Sequence, residues 1–198
     1  MNRIKIKIRK ADKEDARIIS HLHIRNIKLG FLTKLGPKLL EGVYRFIIVG
    51  EESFCYVAEL DSKIVGFVAA TEDCKLLYKR FFRKNFFWGM KIILTKILDG
   101  QVVRKSLDHI FLPRKKSVLP VAEFLTIAVD NCAKRLGVGT KLFKIMKDEF
   151  ARRSTEGFIV VVGKGLRPSN SFMIKNGGIK VTEFQVHKGE DSNVYFWC

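Results

Sequence analysis

The 198-residue sequence contains no stretch approaching the ~18 uncharged apolar residues of a membrane-spanning helix. Its opening residues, MNRIKIKIRKADKED, hold no apolar core of the kind a secretory signal needs. Cysteine is sparse: Cys55, Cys74, Cys132 and Cys198 stand alone and far apart, matching neither the ligand spacing of a zinc site nor a disulfide framework. No metal is therefore expected, and a reducing, cytoplasmic setting is. Repeats and low-complexity tracts are missing too, which leaves one domain over residues 1–198 as the expected organisation. Acidic residues are in shortest supply. The chain has 20 of them against 37 Lys and Arg, a net charge of +17, which attracts anions without choosing among nucleic acid, a membrane surface and phosphorylated small molecules.

What is present begins with alternation. Ile4, Ile6 and Ile8 alternate with Lys5, Lys7 and Arg9 and predict a half-buried first strand. Asp12 is a candidate helix N-cap with Asp15 in the first turn, and Ala16, Ile19, Leu22, His23 and Ile27 supply an apolar helical stripe. A turn over 31–37 precedes a second helix from Pro37 to about Val49, and two strands, 55–60 and 63–70, meet at the short connection Asp61-Ser62.

The stretch from Glu123 to Phe150 organises the rest. Phe124 to Val129 is apolar except for Thr126, the pattern of a buried strand. A corner with two glycines, Gly137-Val138-Gly139, follows. Leu142, Phe143, Met146 and Phe150 then fall on one helical face opposite Lys141, Lys144, Lys147 and Asp148. Strand, glycine turn and amphipathic helix leave backbone N–H groups free where an anion can sit. The spacing excludes two nucleotide motifs. A Rossmann fingerprint needs a third glycine where Leu142 stands, and a P-loop needs Gly-Lys-Ser/Thr after four spacers. Downstream, Phe158 to Val162 predicts another buried strand, Arg167-Pro168-Ser169-Asn170 a helix start and Gly177-Gly178 its end. Strands over 179–186 and 193–197 close the chain across the polar turn 188–192. This order argues for a mixed α/β sheet.

From Leu125 onward the sequence resembles the GNAT acetyltransferase superfamily. The residues carrying the likeness are the loop Lys134-Arg135-Leu136-Gly137-Val138-Gly139 after a buried strand, and the Asn-led stretch Asn170 to Gly178 after the next. The resemblance implies a GNAT fold: a central mixed, mostly antiparallel sheet flanked by helices, with a basic helical insert between strands 3 and 4. It implies acetyl-CoA as co-substrate. The amides of Arg135, Leu136, Gly137, Val138, Gly139 and Thr140 would hold its pyrophosphate, with Lys134 as a nearby long donor. Ile127, Ala128 and Val129 would pair with the pantetheine arm, and Asn170 would add a contact. It further implies transfer of the acetyl group to a primary amine of a small-molecule acceptor, directly within a ternary complex. Glu123, 11 residues before Lys134, matches the offset of the family's catalytic glutamate and is the candidate base. His23 and His187 are weaker candidates. Met173 stands where the family often has a tyrosine that protonates the leaving thiolate, and methionine has no proton to give. Ser171, Tyr195 or water are the alternative donors. Cys132 lies before the loop but at no position the motifs make catalytic.

Residues 74–116 depart from the pattern. They hold twelve cations against two acids, Asp99 and Asp108, and so ten of the seventeen net positive charges, together with Phe81, Phe82, Phe86, Phe87 and Trp88. Helical structure broken near Gly100 is expected. A lid that recognises an acidic or sugar-type acceptor, an interfacial helix over 78–97 in peripheral contact with a membrane, and a solvated face all fit this composition. No RNA-binding motif appears, so nucleic acid is not the expected partner. The alternatives to a soluble N-acetyltransferase are a degenerate CoA-binding module and an acyltransferase acting on lipid-linked glycans. Monomer and homodimer both remain open.

Overall fold

The structure is a computed structural model that describes residues 6–27, 31–34, 36–84, 120–187 and 190–198. Most of the expected insert therefore lies outside the described residues. So do the start of the first strand and Lys188-Gly189. The chain divides into two compact units, Met1–Asp73 with Ala122–Glu156 and Cys74–Val121 with Gly157–Cys198.

The first unit is a four-stranded antiparallel sheet with helices on both faces. Its strands are β1 (Ile6–Lys10), β2 (Ser53–Leu60), β3 (Lys63–Thr71) and β4 (Glu123–Val129), each paired with the next in that order. Asp61 and Ser62 both adopt left-handed φ, 48° and 61°, as the expected two-residue hairpin requires. Asp12 and Asp15 form a reciprocal capping box over a single 3-10 turn before α1 (Ala16–Asn26) begins. The expected turn after it holds a short helical piece, α2 (Phe31–Lys34), because Phe31 to Lys34 carry no residue that breaks a helix before Gly36. Helix α3 (Pro37–Val49) starts on Pro37 at its first turn, where the missing N–H costs nothing. Phe67 of β3 meets Tyr44 of α3 edge-on at 5.2 Å and lies stacked against His23 of α1 at 6.5 Å. That face of the sheet belongs to α1 and α3.

The opposite face carries α5 (Val138–Arg152), whose Leu142, Phe143, Met146 and Phe150 are buried as their spacing predicts. Phe143 packs on Phe124 with ring centroids 5.9 Å apart, and Phe150 on Phe54 at 5.0 Å. Near the helix C-terminus, Glu149 is almost fully buried, 4% exposed. Arg152 grips its carboxylate at 2.7 Å, with Arg153 at 2.8 Å and the Tyr56 hydroxyl at 3.1 Å. The Arg152 guanidinium holds that carboxyl down at about 2 against the upward push of burial, with Arg153 and Tyr56 acting the same way.

The second unit pairs β5 (Phe158–Gly163) with β7 (Glu190–Trp197) and β7 with β6 (Ile179–His187), all antiparallel. β7 starts three residues earlier than the sequence pattern suggests. Glu190 pairs with His187, so polar residues 190–192 join the ladder. Helix α6 (Arg167–Lys175) starts with Pro168 in its first turn and ends at Gly177, φ 85°. The unit also contains α4 (Cys74–Lys84), which begins the basic segment as the expected helix, with Cys74 and Leu77 buried. Among the described residues no helix is long and apolar enough to cross a membrane. The fold class is the expected one, α/β with antiparallel pairing.

Candidate active site

Strand β4, the turn after it and the start of α5 all belong to the first unit. Asp130 closes the strand. Its N–H donates to Val65 O at 2.7 Å, and its carboxylate accepts from Arg25 of α1 at 2.7 Å. A 3-10 turn at Asn131–Ala133 leads into the loop Lys134 to Gly137. Here the backbone twice enters the left-handed region, at Arg135 (φ 64°) and at Gly137 (φ 76°). Glycine adopts this conformation freely, but for arginine it costs about 1–2 kcal/mol. Strain of this kind persists where something else requires the backbone shape. Residues Lys134 to Gly137 are all exposed, so burial is not what requires it.

Helix α5 then starts without a cap. Gly137 brings no side chain to its N-terminus, and the first turn holds no acid. The N–H groups of Val138, Gly139 and Thr140 precede the first intrahelical bond, Lys141 N–H to Gly137 O at 3.0 Å. Helix starts favour acids, which offset the positive end of the dipole. This one instead gathers the exposed cations Lys134, Arg135, Lys141 and Lys144. An isolated domain loses stability by such an arrangement; an anionic ligand reverses the balance. The helix start is also pressed close to the sheet. A Cβ on Gly66 of β3 would stand 3.1 Å from Ala128 O, 3.2 Å from Leu142 Cδ1 and 3.3 Å from Val138 Cγ1. A larger residue at 66 would need these neighbours to give by a few tenths of an ångström.

The feature of β4 that sequence periodicity missed is a bulge. Ala69 pairs with Thr126 and Ala70 with Phe124, so Leu125 is an extra residue with no counterpart on β3. The bulge re-aims everything before it. Glu123 pairs with Thr71, and Thr71, Ala69 and Phe67 alternate onto one face of β3, the face carrying α1 and α3. Glu123 therefore shares that face with Thr126 and Ala128, although it stands an odd three positions before Thr126. Unbroken alternation would have put Glu123 on the face of α5. Phe124 now takes that place against Phe143. The only trace of this in the sequence is the polar Thr126 inside an apolar run.

His23 is 2% exposed, and its Nδ1 lies 2.5 Å from the Tyr44 hydroxyl. Burial pushes its pKa down to about 4, so the ring is neutral near pH 7. Tyr44 is buried as well, and burial raises its pKa well above the ordinary value. Cys132, in the turn before the loop, is exposed.

In the second unit, Asn170 is a structural staple. Its amide nitrogen donates to Gly163 O at 2.9 Å and Leu166 O at 2.8 Å. Its oxygen accepts from Asn193 Nδ2 at 2.7 Å and from the Tyr195 hydroxyl at 2.8 Å. All four capacities of the amide are used, and the proton of Tyr195 is committed to it. Ser171 is exposed. Met173 is 4% exposed and fills the core beside Gly178, whose added Cβ would meet Trp197 at 2.5 Å and Met173 O at 3.0 Å. No cluster of His, Cys, Asp and Glu able to hold a metal occurs among the described residues. For His187 only its place in β6 is described, paired with Glu190.

No protein-family model matches the sequence. No curated protein matches it either. Solved structures do match the fold. An acetyltransferase of the GNAT family from Bacillus cereus superposes with a TM-score of 0.59 at 13% identity, covering 98% of this chain and 96% of that one. The ribosomal-protein-S18-alanine N-acetyltransferase of Escherichia coli gives 0.60 at 14% identity, covering 97% and 92%. A spermidine/spermine N-acetyltransferase from Vibrio cholerae gives 0.57 at 15% identity, covering 98% and 92%. At these identities the likeness is one of architecture, and in architecture the chain is a GNAT-fold protein.

Proposed function

We propose that the protein transfers an acetyl group from acetyl-CoA to the primary amine of a small, neutral or acidic acceptor. The observation that carries this reading is the uncapped, cation-flanked start of α5 behind a loop held twice in the left-handed region. That geometry offers converging N–H groups to an anion, and the pyrophosphate of CoA has the charge and size to use them. The backbone of Arg135 to Thr140 is the proposed cradle, with Lys134 as an outer cation. Ile127, Ala128 and Val129 present the strand to the pantetheine arm. A contact from Asn170 would exchange one of its four present bonds, so its proposed contribution is through the loop it staples.

The chemistry needs a proton acceptor, because an amine is mostly protonated at neutral pH. Glu123 is the proposed base, supported by its place on the same sheet face as Thr126. The amine nitrogen attacks the thioester carbonyl carbon, the C–S bond breaks, and the CoA thiolate leaves. The proton lost by nitrogen passes to the Glu123 carboxylate. Met173 in the core supplies no proton to the thiolate, which leaves Ser171 or water for that role.

The acceptor class follows from charge. One structural neighbour acts on spermidine and spermine, which are polycations. A chain of net charge +17 repels such substrates. Calorimetric titration with acetyl-CoA, followed by a thiol-release assay over neutral, anionic and polyamine acceptors, tests the proposal. Binding with turnover of neutral or anionic amines supports it; failure to bind acetyl-CoA overturns it.

A further inference from the structure

The segment proposed above to hold the cofactor contains one residue of the wrong sign. Between Glu123 and Asp148 the chain has five cations, Lys134, Arg135, Lys141, Lys144 and Lys147, and a single acid, Asp130. Asp130 stands at the junction of the two proposed cofactor contacts. It follows Val129, the end of the strand assigned to the pantetheine arm, and it opens the 3-10 turn Asn131–Ala133 that leads into the glycine loop. Its backbone is held on both sides: its N–H donates to Val65 O at 2.7 Å, and its carbonyl accepts from the Ala133 N–H at 3.0 Å.

An aspartate in this N-cap position ordinarily folds its carboxylate onto the N–H groups two and three residues on, here those of Cys132 and Ala133. Asp130 makes no such side-chain bond. Its carboxylate instead accepts from Arg25 Nη1 at 2.7 Å, 105 residues away in sequence and in the last turn of α1. The Arg25 side chain is 62% exposed and that of Asp130 17%. A pair so open to water adds little to folding. What it does fix is the direction in which the carboxylate points.

We propose that Arg25 is a positioning residue for the cofactor: it draws the Asp130 carboxylate to α1 and masks its charge, which keeps the one acid of the segment off the turn that feeds the phosphate cradle. The consequence for the cofactor rests on the acetyl-CoA reading above; the diversion of the carboxylate does not. Without the guanidinium, the carboxylate returns to the cap position and sets a full negative charge at the foot of the loop. The phosphates of CoA are negative as well. Like charges about 10 Å apart near a protein surface repel enough to weaken binding several-fold, an effect that salt screens. Arg25 therefore acts on the ligand through Asp130, from a helix that carries none of the proposed cradle.

The test has two arms. In the intact protein without ligand, Arg25→Gln is expected to slow hydrogen exchange of the Cys132 amide about fivefold, the effect of a newly formed cap. Exchange that is unchanged or faster overturns the diversion. The second arm is calorimetric titration with acetyl-CoA at low ionic strength. Arg25→Gln is expected to weaken affinity about fivefold. Asp130→Asn is expected to restore that loss in the Arg25→Gln background, while changing affinity less than about twofold in the parent protein. Undiminished affinity in Arg25→Gln overturns the mask, as do equal effects of Asp130→Asn in the two backgrounds, which mean that Arg25 acts on the ligand directly. Failure of the double variant to recover overturns it too, since a bridge that merely holds α1 in place gives that result. If the unmodified protein binds no acetyl-CoA, the acetyltransferase reading fails, while Cys132 exchange still decides whether Arg25 diverts the carboxylate.

Discussion

Gly137→Ala separates a loop that binds from a loop that merely turns. At φ 76° and ψ 6° the residue is left-handed, and a Cβ built there meets no atom within 4 Å. The substitution therefore introduces no clash, and its effect on folding is backbone alone. Holding alanine in this region costs about 1–2 kcal/mol. Loss of glycine's freedom in the unfolded chain returns about 0.4–1 kcal/mol. The net expectation is a destabilisation of about 1 kcal/mol in urea unfolding. The effect on binding is separate. A Cβ in the cradle keeps the anion from the N–H groups, and loss of one charge-assisted hydrogen bond of about 1.5–3 kcal/mol weakens binding roughly 10- to 100-fold. Calorimetric titration of acetyl-CoA measures this directly. Gly165→Ala is the control: its φ is not left-handed and its Cβ also finds open space, so affinity should hold while stability rises by about 0.4–1 kcal/mol. If Gly137→Ala loses its expected stability yet binds acetyl-CoA with unchanged affinity, the glycine corner is only a turn and the cradle assignment is wrong.

Glu123→Gln is expected to lower kcat by about two orders of magnitude or more while leaving acetyl-CoA affinity unchanged, measured by thiol release and calorimetry. Acidification should destabilise the first unit through Glu149. Its folded pKa of about 2 lies below the model carboxyl value of 4.5, so its contribution is complete above pH 4.5 and disappears as pH falls toward 2. That contribution is on the order of 3 kcal/mol, and urea unfolding of Glu149→Gln should lose most of this acid dependence. His23 adds to the same trend: burial lowers its pKa to about 4, so stability present above the unfolded value near 6.5 is lost as pH falls from there toward 4. Asn170→Ala removes the acceptor for Asn193 and Tyr195 and should lower the thermal midpoint by several degrees, equivalent to about 2 kcal/mol or more. A midpoint equal to that of the unmodified protein would refute its role as a staple.

The elements were legible because their signals are local. Pro37 and the apolar spacing behind it marked α3 to the residue, Asp61-Ser62 marked the hairpin, and Leu142 to Phe150 marked the buried face of α5. The glycine corner proposed to hold an anion was legible as a strand–turn–helix unit for the same reason, since glycine spacing can be counted along the chain. Other features of the site are not local. The left-handed φ of Arg135 carries no signature in its residue type. Asn170 reads as a ligand contact in sequence, and only its neighbours Asn193 and Tyr195, 23 and 25 residues away, reveal the staple.

By its sequence alone this protein was determined to be an α/β chain with a strand–glycine loop–helix unit, an excess of cations and a glutamate at the head of the central strand. Periodicity, turn chemistry and charge are properties of neighbours in the chain, and they suffice for that much. Tertiary structure decided which way the glutamate faces. The bulge at Leu125 lets β4 match β3 along one edge while Phe124 packs on α5 and Thr126 stays on the face of α1 and α3. One extra residue satisfies all three demands. It turns Glu123 onto the face of α1 and α3, a choice made by three packed elements and written in no single one of them.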